Sequence, residues 1–72
     1  MTITRERAER IARAHACVRC GEYNYRKLTV KEPLDAHRQE FGEEWHAVLV
    51  CGVCNVIQEL GIDGDGDVVY VN

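Results

Sequence analysis

No serine occurs anywhere in the 72 residues, and tryptophan, phenylalanine and proline occur once each. The first absence removes serine-based nucleophilic catalysis. The scarcity of large aromatics limits the core, because the 46% apolar content includes the cysteines and several alanines. A chain this short buries too little apolar surface to be comfortably stable without a staple. No apolar run approaches the ~20 residues of a membrane span. Met1 to Ala16 alternates charge and carries no apolar core of a secretory leader, which sets the expectation of a reducing, cytoplasmic setting.

What the chain does have is four cysteines in two matching motifs, Cys17-Val18-Arg19-Cys20 and Cys51-Gly52-Val53-Cys54. Two residues between cysteines let one tight turn aim both sulfurs at a point, and two such turns supply the four thiolates of a tetrahedral metal site. A thioredoxin-like site would use one such pair beside a βαβ unit, and no such unit is present. Gly21 and Asn55 follow the second cysteine of each motif, where positive φ brings backbone N–H groups toward the sulfurs. Cys17, Cys20, Cys51 and Cys54 are therefore the expected ligands of one metal ion, zinc first and iron as the alternative, since tetrahedral sulfur suits both. Metal binding and folding are expected to be one event.

The net charge of −3 is unevenly spread. Residues 1–27 carry seven basic side chains against three acidic ones, and residues 28–72 carry two against nine. A basic end is thus available for a polyanion, with Arg5, Arg7, Arg19 and Arg26 the expected phosphate contacts. Arg10 and Arg13 lie four residues after Glu6 and Glu9, an arrangement that pairs them on a helix. The alternative is a solvated face with no partner.

Thr4 is placed to cap a helix to about Ala16, with Thr4, Ala8, Ile11, Ala12 and His15 on one narrow stripe. Four cysteines fill the coordination sphere, so His15 is expected in the core or beside the site, not on the metal. Tyr23 to Val30 reads as a strand with a bulge near Arg26-Lys27. Pro33 opens a short helix over residues 33–41, with Leu34, His37 and Phe41 on one side and Gly42 as its stop. Trp45 to Val50 is the returning strand, Val56 to Leu60 a third, and Val68 to Val71 a fourth after a turn over Gly61 to Asp67. The alternation of Asp63, Asp65 and Asp67 with glycine suits a hairpin and does not match a calcium loop, which needs glycine at its sixth position and a glutamate at its twelfth.

With these cysteines framing two strands, residues 15–60 resemble a zinc ribbon of the kind found in transcription factors and RNA polymerase subunits. Cys17-Val18-Arg19-Cys20-Gly21, the strand Tyr23 to Val30 and the apolar run Ala47 to Val50 are similar to the ribbon of polymerase-binding elongation factors. In that family an Asp-Glu pair at the hairpin tip reaches the polymerase active site. The nearest pair here is Glu43-Glu44, which departs from it, so that activity does not carry over. Paired Cys-x-x-Cys turns, Gly21, Tyr23, Tyr25, Phe41 and Trp45 are also similar to rubredoxin, an iron electron carrier. Asn55, the distance of Trp45 from Cys51 and the N-terminal helix all depart from it.

The sequence therefore predicts a small α+β domain over residues 1–72: a helix to residue 16, a ribbon over 17–60 and a strand extension over 61–72. Its sheet is antiparallel with three to four strands. The expected function is that of a non-catalytic zinc module, a monomer, docking on nucleic acid or on a protein.

Overall fold

A computed structural model describes residues 3–72 as α1 (Arg5–Arg13), β1 (Tyr25–Lys31), α2 (Asp35–Phe41), β2 (Glu43–Cys51), β3 (Ile57–Asp63) and β4 (Val68–Val71). The strands form one antiparallel sheet in the order β1-β2-β3-β4, so each pairs with its neighbour in sequence. The expected α+β class holds, with the sheet at the upper end of the expected strand number.

Thr4 caps α1 by accepting the Arg7 N–H at 3.2 Å. The helix stops at Arg13 and not near Ala16. His15 N–H bonds back to Ala12, and the Cys17 N–H is taken by the Glu22 carbonyl at 2.8 Å, so the first cysteine turn claims the backbone a longer helix would need. Ala8 and Ala12 are fully buried and let α1 lie close against β1 and β2. Beneath them Val30, Ala47, Leu49, Leu60 and Ile62 form the core, flanked by Ile3, Ile11, Leu28 and Trp45. Each large aliphatic side chain so buried contributes about 1.5–3 kcal/mol.

The bulge in β1 lies where the sequence places it. Pairing passes from Tyr25↔Cys51 to Lys27↔Val50, which leaves Arg26 as the extra residue. The strand begins at Tyr25 and not at Tyr23, which stands exposed before it.

The second helix differs from expectation at its start. Leu34 is the N-cap, Pro33 precedes the helix, and α2 buries no residue completely. Leu34 is 70% exposed, so the stripe of Leu34, His37 and Phe41 is no core face. His37 and Phe41 pack instead against Tyr70, with ring centroids 5.8 and 5.1 Å away. Gly42 ends the helix in the left-handed region at φ 69°.

β2 starts two residues earlier than expected, at Glu43, and β3 runs three residues further, to Asp63. Glu43-Glu44 is thus the start of a strand and not a hairpin tip, with Glu43 fully buried. Gly61, expected in the turn, pairs with Tyr70 inside the sheet. The turn itself is organised by Asp63, whose Oδ1 accepts the N–H groups of Asp65 and Asp67 at 3.0 and 2.9 Å. No helix is long and apolar enough to cross a membrane among the described residues.

Candidate metal centre

Each cysteine turn closes on itself through the same two backbone bonds. In the first, Gly21 N–H reaches Cys17 O at 2.9 Å and Cys17 N–H reaches Glu22 O at 2.8 Å. In the second, Asn55 N–H reaches Cys51 O at 3.1 Å and Cys51 N–H reaches Val56 O at 3.0 Å. Both turns need a left-handed residue four places after the first cysteine. Gly21 sits at φ 77°, and Asn55, at φ 63°, is the one non-glycine residue with positive φ among the described residues.

The sheet brings the turns together. Tyr25 at the head of β1 pairs with Cys51 at the foot of β2, and Gly52 N–H bonds Asn24 O at 2.7 Å. The four Sγ atoms lie within 4.8 Å of one another, with Cys17 to Cys54 at 3.7 Å and Cys20 to Cys51 at 3.5 Å. Sulfurs bound about 2.3 Å from a tetrahedral centre stand about 3.8 Å apart, so the donor set fits such an ion. Cys17 and Cys51 are buried while Cys20 is exposed.

The thiols do not titrate alike. The Cys20 backbone N–H draws Cys17 down to about 6 against the effect of burial, with help from the Arg19 N–H. The Cys54 N–H, 3.5 Å from the sulfur, lowers Cys51 in the same way, and the Val53 N–H assists at 3.4 Å. At Cys20 the Glu22 N–H pulls downward, but burial and the neighbouring thiols push it up to about 12. The crowded thiols thus work against one another, backbone N–H groups drawing charge onto Cys17 and Cys51 while the neighbouring thiols oppose it at Cys20. A divalent cation at the centre removes that conflict, which is the electrostatic reason four thiols at this spacing suit a metal.

A layer of polar contacts behind the sulfurs carried no sequence signal. Gln58 on β3 is 1% exposed, accepts the Val18 N–H at 3.1 Å and donates through Nε2 to Tyr25 OH at 3.1 Å. Tyr25 OH in turn donates to the His15 carbonyl. Burial raises the Tyr25 phenol above its usual range, opposed by the Gln58 bond and reinforced by its electrostatic interaction with Cys17, Cys51 and Cys20. His15 is half-buried, its Nδ1 3.0 Å from Ala16 O, and it stands outside the thiol cluster.

The four arginines expected at a phosphate face occupy separate elements. Arg5 and Arg7 lie on α1, Arg19 in the first cysteine turn and Arg26 at the β1 bulge, all exposed. Arg5 stands over the Trp45 ring at 5.7 Å. The expected pairing of Glu6 with Arg10 and Glu9 with Arg13 is not found. Among the described residues every ion pair within 4.0 Å involves a histidine. Long exposed side chains gain too little from one another to offset the entropy of holding a fixed geometry.

Comparison with protein-family models, with curated proteins and with solved structures gave no match for this chain.

Proposed function

We propose that the chain is a zinc ribbon whose metal joins two cysteine turns so that their tips form a protein-docking surface, with no catalysis at the thiols. The observation that carries this reading is the exposure of apolar side chains around the four sulfurs. Val18 and Val53, one in each turn, are 57% and 56% exposed, and Tyr23 and Ile57, each three residues after the last cysteine of its turn, are 59% and 66% exposed. A small core can ill spare four such residues, and apolar groups gathered at one end of a domain mark a contact surface. The chemistry of the thiols favours a structural ion: four protein donors close a zinc coordination sphere and leave no position for substrate.

A second reading, docking on nucleic acid, is supported by the arginines of α1, which have no carboxylate partner within 4.0 Å. Elemental analysis tests the metal: one zinc per chain that survives dialysis is expected, whereas a red protein with thiolate-to-iron absorption and reversible reduction would install the rubredoxin-like reading instead. Amide-resolved NMR titration with duplex and single-stranded DNA tests the partner. Shifts at Arg5, Arg7, Arg19 and Arg26 would favour nucleic acid, and none are expected at physiological salt if the apolar tips are the interface.

A further inference from the structure

The sheet face opposite α1 holds a polar cluster that the thiol centre does not use. Alternation along β2 sends Trp45, Ala47 and Leu49 toward α1 and His46 to the other side. The β2–β3 register slips between Glu43 and Trp45, so the extra residue brings Glu43 onto the same face as His46. Glu43 is fully buried and His46 is 8% exposed. α2 brings His37 over them, held by Phe41 at 5.7 Å and Tyr70 at 5.8 Å between ring centroids.

The distances converge on one point. Glu43 Oε1 is 2.9 Å from His46 Nδ1 and accepts from Tyr70 OH at 2.9 Å. Glu43 Oε2 is 3.2 Å from His37 Nδ1, yet it has no hydrogen-bond partner among the described residues. Since 3.2 Å is within hydrogen-bonding reach, direction is what is missing. Two donor atoms that are close without pointing at one another are arranged as ligands of a shared ion are. Atoms bound about 2.0–2.1 Å from one metal stand about 2.9–3.4 Å apart, depending on its geometry.

The other ring nitrogen of His46 supports the same conclusion. Nε2 lies 2.8 Å from Glu59 Oε1, which accepts its N–H in the tautomer that leaves the Nδ1 lone pair facing Glu43. A carboxylate that fixes the tautomer of a histidine from behind is the usual support of a metal-binding imidazole. Tyr70 OH has one proton for three acceptors, Glu43 Oε1, His46 Nδ1 and His37 Nδ1, the last at 3.4 Å. Lone pairs therefore outnumber protons at the centre, and a buried carboxylate without its full set of donors is costly. On the outer side lies a cavity of about 350 Å³ lined by Lys31, Glu32, Leu34, His37, His46 and Glu59.

We propose that His37, Glu43 and His46 form a second metal site, distinct from the thiols, for a borderline divalent ion such as zinc. Nδ1 of each histidine and the Glu43 carboxylate supply three donors within 4.8 Å of one another, and both histidines also line the cavity. Two imidazoles and a carboxylate suit zinc better than calcium or magnesium, and an open position makes this ion exchangeable where the thiol-bound one is not. Tyr70 and Glu59 are positioning residues that orient Glu43 and His46.

The test is titration of the purified protein, its thiol site already filled with zinc, with Co²⁺ and separately with Zn²⁺. The expected result is one further equivalent per chain, with cobalt showing d–d absorption but no thiolate-to-cobalt charge transfer. His37→Gln, at a half-exposed position of α2 with little bearing on the fold, is expected to weaken the second equivalent at least tenfold. His37→Gln combined with His46→Gln is expected to abolish it while the first zinc and the amide spectrum persist. No uptake beyond the thiol-bound zinc, or a further equivalent undiminished in the double variant, overturns the site. Displacement of the thiol-bound zinc is read separately from the appearance of thiolate-to-cobalt charge transfer, so failure of the ribbon reading is not confused with failure of this one.

Discussion

The Gln58 carboxamide oxygen accepts the Val18 backbone N–H at 3.1 Å, which ties the third strand to the first cysteine turn across 40 residues of sequence. Gln58 Nε2 bonds Tyr25 OH as well, so one buried side chain braces both the turn and the strand that leaves it. Gln58→Leu keeps the volume, strands the Val18 N–H and leaves Tyr25 OH with its bond to the His15 carbonyl alone. The expected cost is about 1–3 kcal/mol of stability, from leaving a buried polar group unpaired. Zinc affinity measured against a competing chelator should fall by roughly 10–100-fold, as for other groups that orient metal ligands. Unchanged affinity would show that the turn holds its geometry without this brace.

Asn55 tests the turn itself. At φ 63° it occupies the position that Gly21 fills in the first turn. Asn55→Gly should be neutral, whereas Asn55→Val should lose ~1–2 kcal/mol in chemical denaturation, because a β-branched residue resists the left-handed region. Equal stability of the two variants would remove the conformational argument.

The cysteine turns were legible in the sequence because the information is local. Spacing, a following glycine or asparagine, and a bulge at Arg26 each act within a few residues. Glu43, Gln58 and Gly61 were not legible because their roles are set by partners far along the chain. Nothing local marks Glu43 as buried, and only the slip in the β2–β3 register turns it inward beside His46. Two adjacent glutamates likewise disguise the start of β2, since charge normally argues against a buried strand. Gly61 reads as a turn residue for its Gly-rich neighbourhood, while its place is set by the Tyr70 ring opposite.

That ring supplies a third prediction. A Cβ placed on Gly61 would stand 2.3 Å from the Tyr70 ring, well inside contact distance. Gly61→Ala must displace the ring and with it the hydroxyl that donates to Glu43. A loss of about 1–3 kcal/mol is expected, as for other overpacked sites. Tyr70→Ala in the same chain should recover part of the steric cost, so a non-additive double-mutant cycle is the readout. Strict additivity would mean the two residues do not meet.

Metal removal should unfold the domain progressively from the thiol end. Without the ion four thiols crowd a small space with only partial backbone support, and the ends that carry the two turns are joined by the Gly52–Asn24 bond, the β1–β2 ladder and the Gln58 brace on Val18. Trp45 reports the consequence, because its Nε1 donates to Ile3 O at 2.9 Å where α1 approaches the sheet. A strong chelator is expected to shift Trp45 emission to the red and to abolish the near-UV signal, with recovery on adding zinc. An emission spectrum indifferent to the chelator would show that the core stands on its own.

The arginines of α1 separate the two classes of partner. Arg5 is partly engaged with Trp45, a contact worth about 0.5–1 kcal/mol when exposed, so its removal mixes stability with binding. Arg7 and Arg10 are exposed, and neither has a carboxylate within 4.0 Å, which makes Arg7→Ala with Arg10→Ala the cleaner variant. Each phosphate contact contributes about −0.9 to the log–log salt slope of duplex binding, so two lost contacts flatten that slope by roughly two. The docking reading expects the opposite. Any low-salt binding to duplex DNA should be weak, and the double variant should leave its slope unchanged. Charge at the tips, Val18→Asp with Val53→Asp, should then abolish docking while zinc content and the amide spectrum persist, because both side chains are exposed and neither packs in the core. A steep wild-type slope that flattens in the arginine variant would transfer the interface to α1 and displace the tips as the contact surface.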